Sequence, residues 1–127
     1  MLTEEGVPTV LLVEDDEDIR DAIADVLETA GYYVILAENG RVALDALRLA
    51  ERLPDCVLLD LMMPVMDGKE LLRELRNTPR LRNLRILLLS ADAASVARAR
   101  ELGADGGVCK PVTPHALLTL VGVPIQA

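Results

Sequence analysis

The chain has 127 residues, enough for one domain with a core of its own, and 51% of them are hydrophobic, which argues against a disordered chain. It has no Phe, no Trp and only Tyr32 and Tyr33, so the core must be aliphatic. The formal charge of −8 argues against direct nucleic-acid binding, which needs clustered cations, and no apolar run approaches the roughly 20 residues that span a bilayer, so no membrane insertion is expected.

The acidic start, Met1-Leu2-Thr3-Glu4-Glu5, lacks the apolar stretch of a signal peptide, which predicts a cytoplasmic protein. Val10–Val13 is a short apolar run that reads as a first strand and closes on two acids, Glu14 and Asp15. Ile19, Ile23, Val26 and Leu27 then recur at helical spacing from Asp18 to Ala30, with Asp16 or Asp18 as the cap and Gly31 as the stop. Tyr33–Leu36 reads as a second strand. Val42, Leu44, Leu47 and Leu49 mark a second helix that ends before Pro54. Cys56–Leu59 is a third strand, closed by Asp60 and followed by the turn-rich Pro64-Val65-Met66-Asp67-Gly68. A third helix is expected from about Gly68 to Arg76, a fourth strand over Ile86–Leu89, and a fourth helix from roughly Ala94 to Leu102 that stops at Gly103. Gly107–Cys109 is the last strand, and the last helix follows Pro114 and fades near Gly122 and Pro124.

Alternating strands and helices of this length predict a doubly wound parallel sheet covered by helices on both faces. In such sheets chemistry gathers at the carboxyl ends of the strands. Here those ends supply Glu14 and Asp15, Asp60, Ser90 and Lys110. Paired carboxylates are hard oxygen ligands suited to a divalent cation, and a strand-end aspartate can act as a nucleophile toward phosphorus. Cys56 and Cys109 both fall in apolar strand runs, which predicts buried free thiols rather than a disulfide or a metal site. Of the thirteen Lys and Arg residues only Lys69 and Lys110 are lysine. A sequence so rich in Arg that keeps Lys at the end of its fifth strand points to a compact charge on a flexible stem, reaching a phosphoryl oxygen.

The motifs Val13-Glu14-Asp15-Asp16, Asp60-Leu61-Met62-Met63-Pro64-Val65-Met66-Asp67-Gly68, Leu89-Ser90-Ala91 and Lys110-Pro111 stand in order at successive strand ends. In this arrangement the chain resembles a response regulator receiver domain of two-component signalling. The resemblance covers residues 8–121, so residues 1–127 read as a single receiver domain. It implies a flavodoxin-like five-stranded parallel sheet of order 2-1-3-4-5 with five helices. It also implies Asp60 as the phosphoacceptor, helped by Lys110 and Ser90, and a bound Mg²⁺ (or Mn²⁺). The metal would be held by Glu14, Asp15, Asp60 and the backbone carbonyl of Met62. In the resembling family the metal-binding pair directly follows the last strand residue, and an Arg often lies five residues beyond its second member. With Val13 the last apolar residue here and Arg20 five beyond Asp15, the resemblance implies Glu14 and Asp15 as the pair, with Asp16 as the alternative. A cis Lys110–Pro111 bond is implied as well. The implied partners are a sensor histidine kinase or a histidine phosphotransfer protein, and an output protein whose identity the sequence does not give.

One position departs from the family. Three residues before the lysine, receivers usually carry Tyr or Phe, which moves inward on activation; here the residue is Gly107, preceded by Gly106. The expected signal therefore runs through the loop after Ser90 and the fourth helix. The fifth helix, His115 to Val121, has no charged Lys, Arg, Asp or Glu, which disfavours a salt-bridged dimer and leaves a weak homodimer, another contact, or packing of its leucines on the sheet as alternatives. Its lone His115 reads as a solvated neighbour of the cap. Two further readings of the chain stand beside a free receiver: a receiver module of a larger regulator or hybrid kinase, and a small phosphatase with an Asp nucleophile. The phosphatase would need an acid two residues after Asp60, where Met62 stands and cannot transfer a proton. Slow self-hydrolysis of an acyl phosphate is expected, so the chain is not a conventional enzyme.

Overall fold

The computed structural model describes residues 6–122; the acidic start at residues 1–5 and Pro124 lie outside them. Five strands and five helices alternate: β1 (Thr9–Val13), α1 (Glu17–Thr29), β2 (Tyr33–Ala37), α2 (Gly40–Leu49), β3 (Cys56–Asp60), α3 (Gly68–Asn77), β4 (Ile86–Ser90), α4 (Ala93–Ala97), β5 (Gly106–Cys109) and α5 (Pro114–Val121). All strand pairs are parallel, in the order β2-β1-β3-β4-β5. The flavodoxin-like expectation holds, strand order included.

Period-two alternation in the sheet divides the aliphatic core between two faces. Leu11, Val13, Val57, Leu59, Ile86 and Leu88 point toward α2, α3 and α4. Val10, Leu12, Leu58, Leu87 and Leu89 point toward α1 and α5. The central strands β3 and β4 are buried at every position, as the unbroken apolar runs Cys56–Leu59 and Ile86–Leu89 require. Burial pushes the Cys56 thiol up to about 12, so it stays protonated and inert. On α5 the leucines are buried or half-buried against the sheet, and His115 is exposed beside the cap. The apolar fifth helix is thus explained by packing on its own domain.

Each helix starts on a side-chain cap that satisfies one of its free N–H groups. Asp16 accepts from Ile19 N (3.0 Å), Asn39 from Val42 N (2.9 Å), Asp67 from Glu70 N (2.9 Å), Asp92 from Ala94 N (3.1 Å) and Thr113 from Ala116 N (3.1 Å). Asp16, rather than Asp18, is the cap of α1.

Two expectations are corrected. The fourth helix is five residues long instead of reaching Leu102, and residues 98–103 continue as turns closed by Ala99 N to Val96 O (3.1 Å) and Gly103 N to Arg100 O (3.1 Å). The Ala-Ala-Ser-Val-Ala stretch offers little apolar area to bury, so packing does not hold its helical register further. Cys109 is exposed rather than buried. It lies on the same face of edge strand β5 as Gly107, the face toward α4, and so short a helix leaves the strand end uncovered.

Candidate functional site

The carboxyl ends of β1, β3 and β5 meet at one rim because neighbouring strands are in register there, Val13 beside Leu59 and Asp60 beside Leu89. Glu14, the first residue beyond β1, is fully buried; its backbone N–H donates to Ala37 O (3.1 Å) and its carbonyl accepts from Arg20 Nη1 (3.0 Å). Asp60, the last residue of β3, is only 3% exposed. Lys110 follows β5, its N–H donating to Ser90 O (2.8 Å), and its bond to Pro111 is cis.

These side chains converge. Lys110 Nζ lies 2.7 Å from Glu14 Oε1 and 3.3 Å from Asp60 Oδ2. Carboxylate oxygens of Glu14, Asp15 and Asp60 all fall within 4.8 Å of one another, Asp15 being the exposed member. Asp16 is turned away as the α1 cap, though its N–H donates to Glu14 Oε2 (3.2 Å). Burial and the neighbouring Glu14 carboxyl push Asp60 up to about 7, against the pull of the Met62 N–H (3.2 Å) and of Lys110. Burial pulls Lys110 down, but its contacts with Glu14 and Asp60 outweigh that, and its pKa stands above the ordinary lysine value. The ammonium sits closer to Glu14 than to Asp60, so Asp60 is left the more weakly compensated of the two.

The donor set fits a divalent cation. Glu14 Oε1 is buried with no well-angled hydrogen-bond donor, its partner being the Lys110 charge alone. When all are ionised, three carboxylates against one ammonium leave two negative charges, which one Mg²⁺ would neutralise through oxygen ligands of the kind it prefers.

Ser90 closes β4 next to this cluster and is 2% exposed. Its Oγ accepts from Asp92 N (3.0 Å) and makes no hydrogen bond to Asp60 among the described residues. The Met62 side chain points out, 76% exposed, which leaves only its backbone near Asp60.

Three further residues shape the surroundings of Asp60 and were given no such role from the sequence. A Cβ on Gly68 would lie 2.5 Å from Asp60 O and 2.6 Å from Leu61 Cα, so only glycine lets α3 start against the end of β3. A Cβ on Gly40 would lie 2.6 Å from Met66 O, the atom that accepts the Gly40 N–H at 3.1 Å; this tethers the β3–α3 loop to α2. Between them Val65 takes φ 69°, with Met66 N donating to Pro64 O (2.8 Å) in a three-residue turn. A β-branched residue at positive φ costs on the order of 1–3 kcal/mol. The Pro-Val-Met-Asp-Gly run signalled a turn, but nothing in it marked Val65 as its strained member.

The family model described as the response regulator receiver domain matches residues 10–122. Among curated proteins, the chain is 41% identical over 113 residues to the transcriptional regulatory protein AfsQ1 of Streptomyces coelicolor, covering 87% of this chain and 48% of that protein. It is 41% identical over 111 residues to the response regulator MprA of Mycolicibacterium vanbaalenii, covering 86% and 46%. The chain thus spans about half the length of the curated relatives it matches. Among solved structures, the chemotaxis response regulator CheY4 of Vibrio cholerae superposes with a TM-score of 0.82 at 32% identity, over 91% of this chain and 96% of that one.

Proposed function

The chain belongs to the response regulator receiver family of two-component systems, and on that premise we propose that Asp60 is its phosphoacceptor. One observation carries the reading: a buried carboxylate with a lysine 3.3 Å away and two further carboxylates beside it. An Asp60 oxygen attacks the phosphorus of a phosphohistidine or of a small donor such as acetyl phosphate. The new P–O bond forms as the P–N or P–O bond to the leaving group breaks; a departing imidazole takes a proton from water, whereas acetate departs as the anion. Lys110 faces the incoming phosphoryl oxygens, and Ser90 donates its hydroxyl to one of them while still accepting from Asp92 N. Glu14, Asp15, Asp60 and the Met62 carbonyl are the proposed holders of Mg²⁺ or Mn²⁺, which when bound offsets the negative charge on the transferring oxygens.

Receiver domains interact with histidine kinases or histidine phosphotransfer proteins. A surface depression of about 210 Å³ lined by Ile19, Ala22, Ile23, Pro111 and Val112, with Lys110 at its edge, gives such a partner an apolar seat beside the acceptor. Residues 1–127 read as one receiver domain that acts alone or within a longer regulator, in the cytoplasm, with output through a protein partner. The curated relatives named above are about twice as long, and the −8 charge of this chain supports the reading that it does not itself hold nucleic acid. No helix of the described residues is long and apolar enough to cross a membrane.

The test is intact mass after exposure to acetyl phosphate. The wild-type chain should gain one phosphoryl group only when Mg²⁺ or Mn²⁺ is present, and Asp60→Asn should gain none. A phosphorylated Asp60→Asn protein would place the acceptor elsewhere.

A further inference from the structure

Edge strand β2 is left open, and its surroundings specify what can cover it. Tyr33 N donates to Pro8 O (2.9 Å) and Ala37 O accepts from Glu14 N (3.1 Å), so residues 33, 35 and 37 turn their backbone groups toward β1. Strand alternation then points the N–H and C=O of Val34 and Leu36 outward, and no strand lies across them among the described residues. Natural sheet edges are usually guarded by charge, proline or a bulge. Residues 32–37 contain none of these, and Tyr33, Ile35 and Leu36 are exposed.

The two faces beside this edge differ. On the α2 side, Tyr33 and Ile35 continue into Val42, Ala46 and Leu49, all exposed, at helical positions i, i+4 and i+7. The Arg48–Glu74 pair (3.7 Å) fixes the opposite flank of α2 against α3, so this apolar stripe borders the β2 edge. On the α1 side, Ile19 and Ala22 face the β5 end of the sheet beside Pro111 and Val112. The opposite flank of α1, toward β2, carries Asp21, Asp25 and Glu28, all exposed and without an ion pair among the described residues.

We propose that β2 is a docking edge for an extended partner segment that alternates aliphatic and cationic residues. The backbone of such a segment pairs with Val34 and Leu36. Its aliphatic side chains lie over Ile35, Val42 and Leu49, and its Lys or Arg side chains meet Asp21, Asp25 and Glu28. A second copy of the chain is a poor occupant. Antiparallel pairing of two β2 edges about a two-fold axis keeps both α1 helices on one face and sets their acidic flanks against each other. The edge lies apart from Asp60, so docking there needs no phosphorylation.

The probe is a fluorescein-labelled peptide alternating valine and lysine, titrated into the full chain. Controls are a peptide of the same composition with its valines and lysines in separate blocks, and one alternating valine and glutamate. The alternating cationic peptide should bind saturably, weaken about tenfold from low to physiological salt, and protect the Val34 and Leu36 amides from exchange. Leu36→Pro removes an outward N–H without touching the β1 ladder and should abolish binding. The exposed Asp21→Asn, Asp25→Asn double variant, which places no strain on the fold, should weaken it about tenfold. Equal binding of the block or glutamate peptide, or unchanged affinity in the double variant, would overturn the proposal. So would a free protein that sediments as a dimer and becomes monomeric on Leu36→Pro, since a second copy would then be the occupant.

Discussion

At the rim of β1, β3 and β5, Glu14 and Asp60 are charged groups almost wholly out of water, fixed by one ammonium and by backbone N–H groups. On the flank where α4 lies on β5, there is no buried side chain within residues 93–97 and no side chain at all at positions 106 and 107. The rim is dense in chemistry that geometry holds in place. The flank is thin, and a Cβ at Gly107 would stand 3.2 Å from Leu88 O and 3.5 Å from Val96 Cγ1. Val96 therefore closes over the place where a side chain at position 107 would stand. On the proposed function, acceptor and readout rest on separate structures, one held by burial at the rim and one reduced to a short helix on glycine.

The largest expected effect lies at the rim. Lys110→Ala should slow phosphorylation by about a hundredfold, the scale of losing one aimed charge in a site shielded from water. The same change should tighten Mg²⁺ binding, because the ammonium no longer competes for Glu14 and Asp60; looser metal binding would show that Lys110 organises the carboxylates rather than opposing a cation. Next, Asp15→Asn should weaken Mg²⁺ by about tenfold or more, while Asp16→Asn, which keeps a good cap, should leave it within about twofold. A titration with the reverse order would move the pair by one residue.

Stability against pH separates the regions further. Asp60 is raised from 3.8 to about 7, so between those values the folded chain holds more protons than the unfolded one. Its contribution is present at low pH and is lost as pH rises toward 7 in metal-free protein. Mg²⁺ should raise the thermal midpoint most at and above that pH, where the carboxylate is ionised, and Asp60→Asn should flatten the dependence. A wild-type midpoint that does not fall relative to that of Asp60→Asn between pH 4 and 7 without metal would contradict the burial argument. The smallest effect belongs to the flank: Gly107→Ala should cost about 1–2 kcal/mol by pressing on Leu88 and Val96, yet leave phosphoryl uptake unchanged.

Most of the rim was legible because the sheet turns sequence order into spatial order. Asp60, Ser90 and Lys110 each end an apolar run, and parallel strands bring such ends to one side. Asp16, with Asp18 as the alternative, was legible as cap chemistry at a helix start, and Pro114 as the first residue of the last helix. The flank was not, for physical reasons. The length of α4 depends on how much area Ala and Ser can bury, and the exposure of Cys109 depends on that length in turn. Likewise, Val65 at φ 69° is set by Gly40 and Gly68 holding both ends of its loop, a tertiary condition that no local pattern encodes. The implied strand order already placed β2 at the edge, but its exposure escaped for a related reason: Tyr33–Leu36 reads as a strand whether or not anything covers it.

The separation of acceptor from readout is tested most directly by amide exchange with and without beryllofluoride, which stands in for the phosphoryl group on Asp60. The Ser90 hydroxyl accepts from Asp92 N, and Asp92 caps α4, so a pull on Ser90 reaches the helix start through two bonds. The account predicts altered protection from Ser90 through Leu102, with little change at residues 106–109. Protection concentrated at residues 106–109, with Ser90 to Leu102 unaltered, would contradict it.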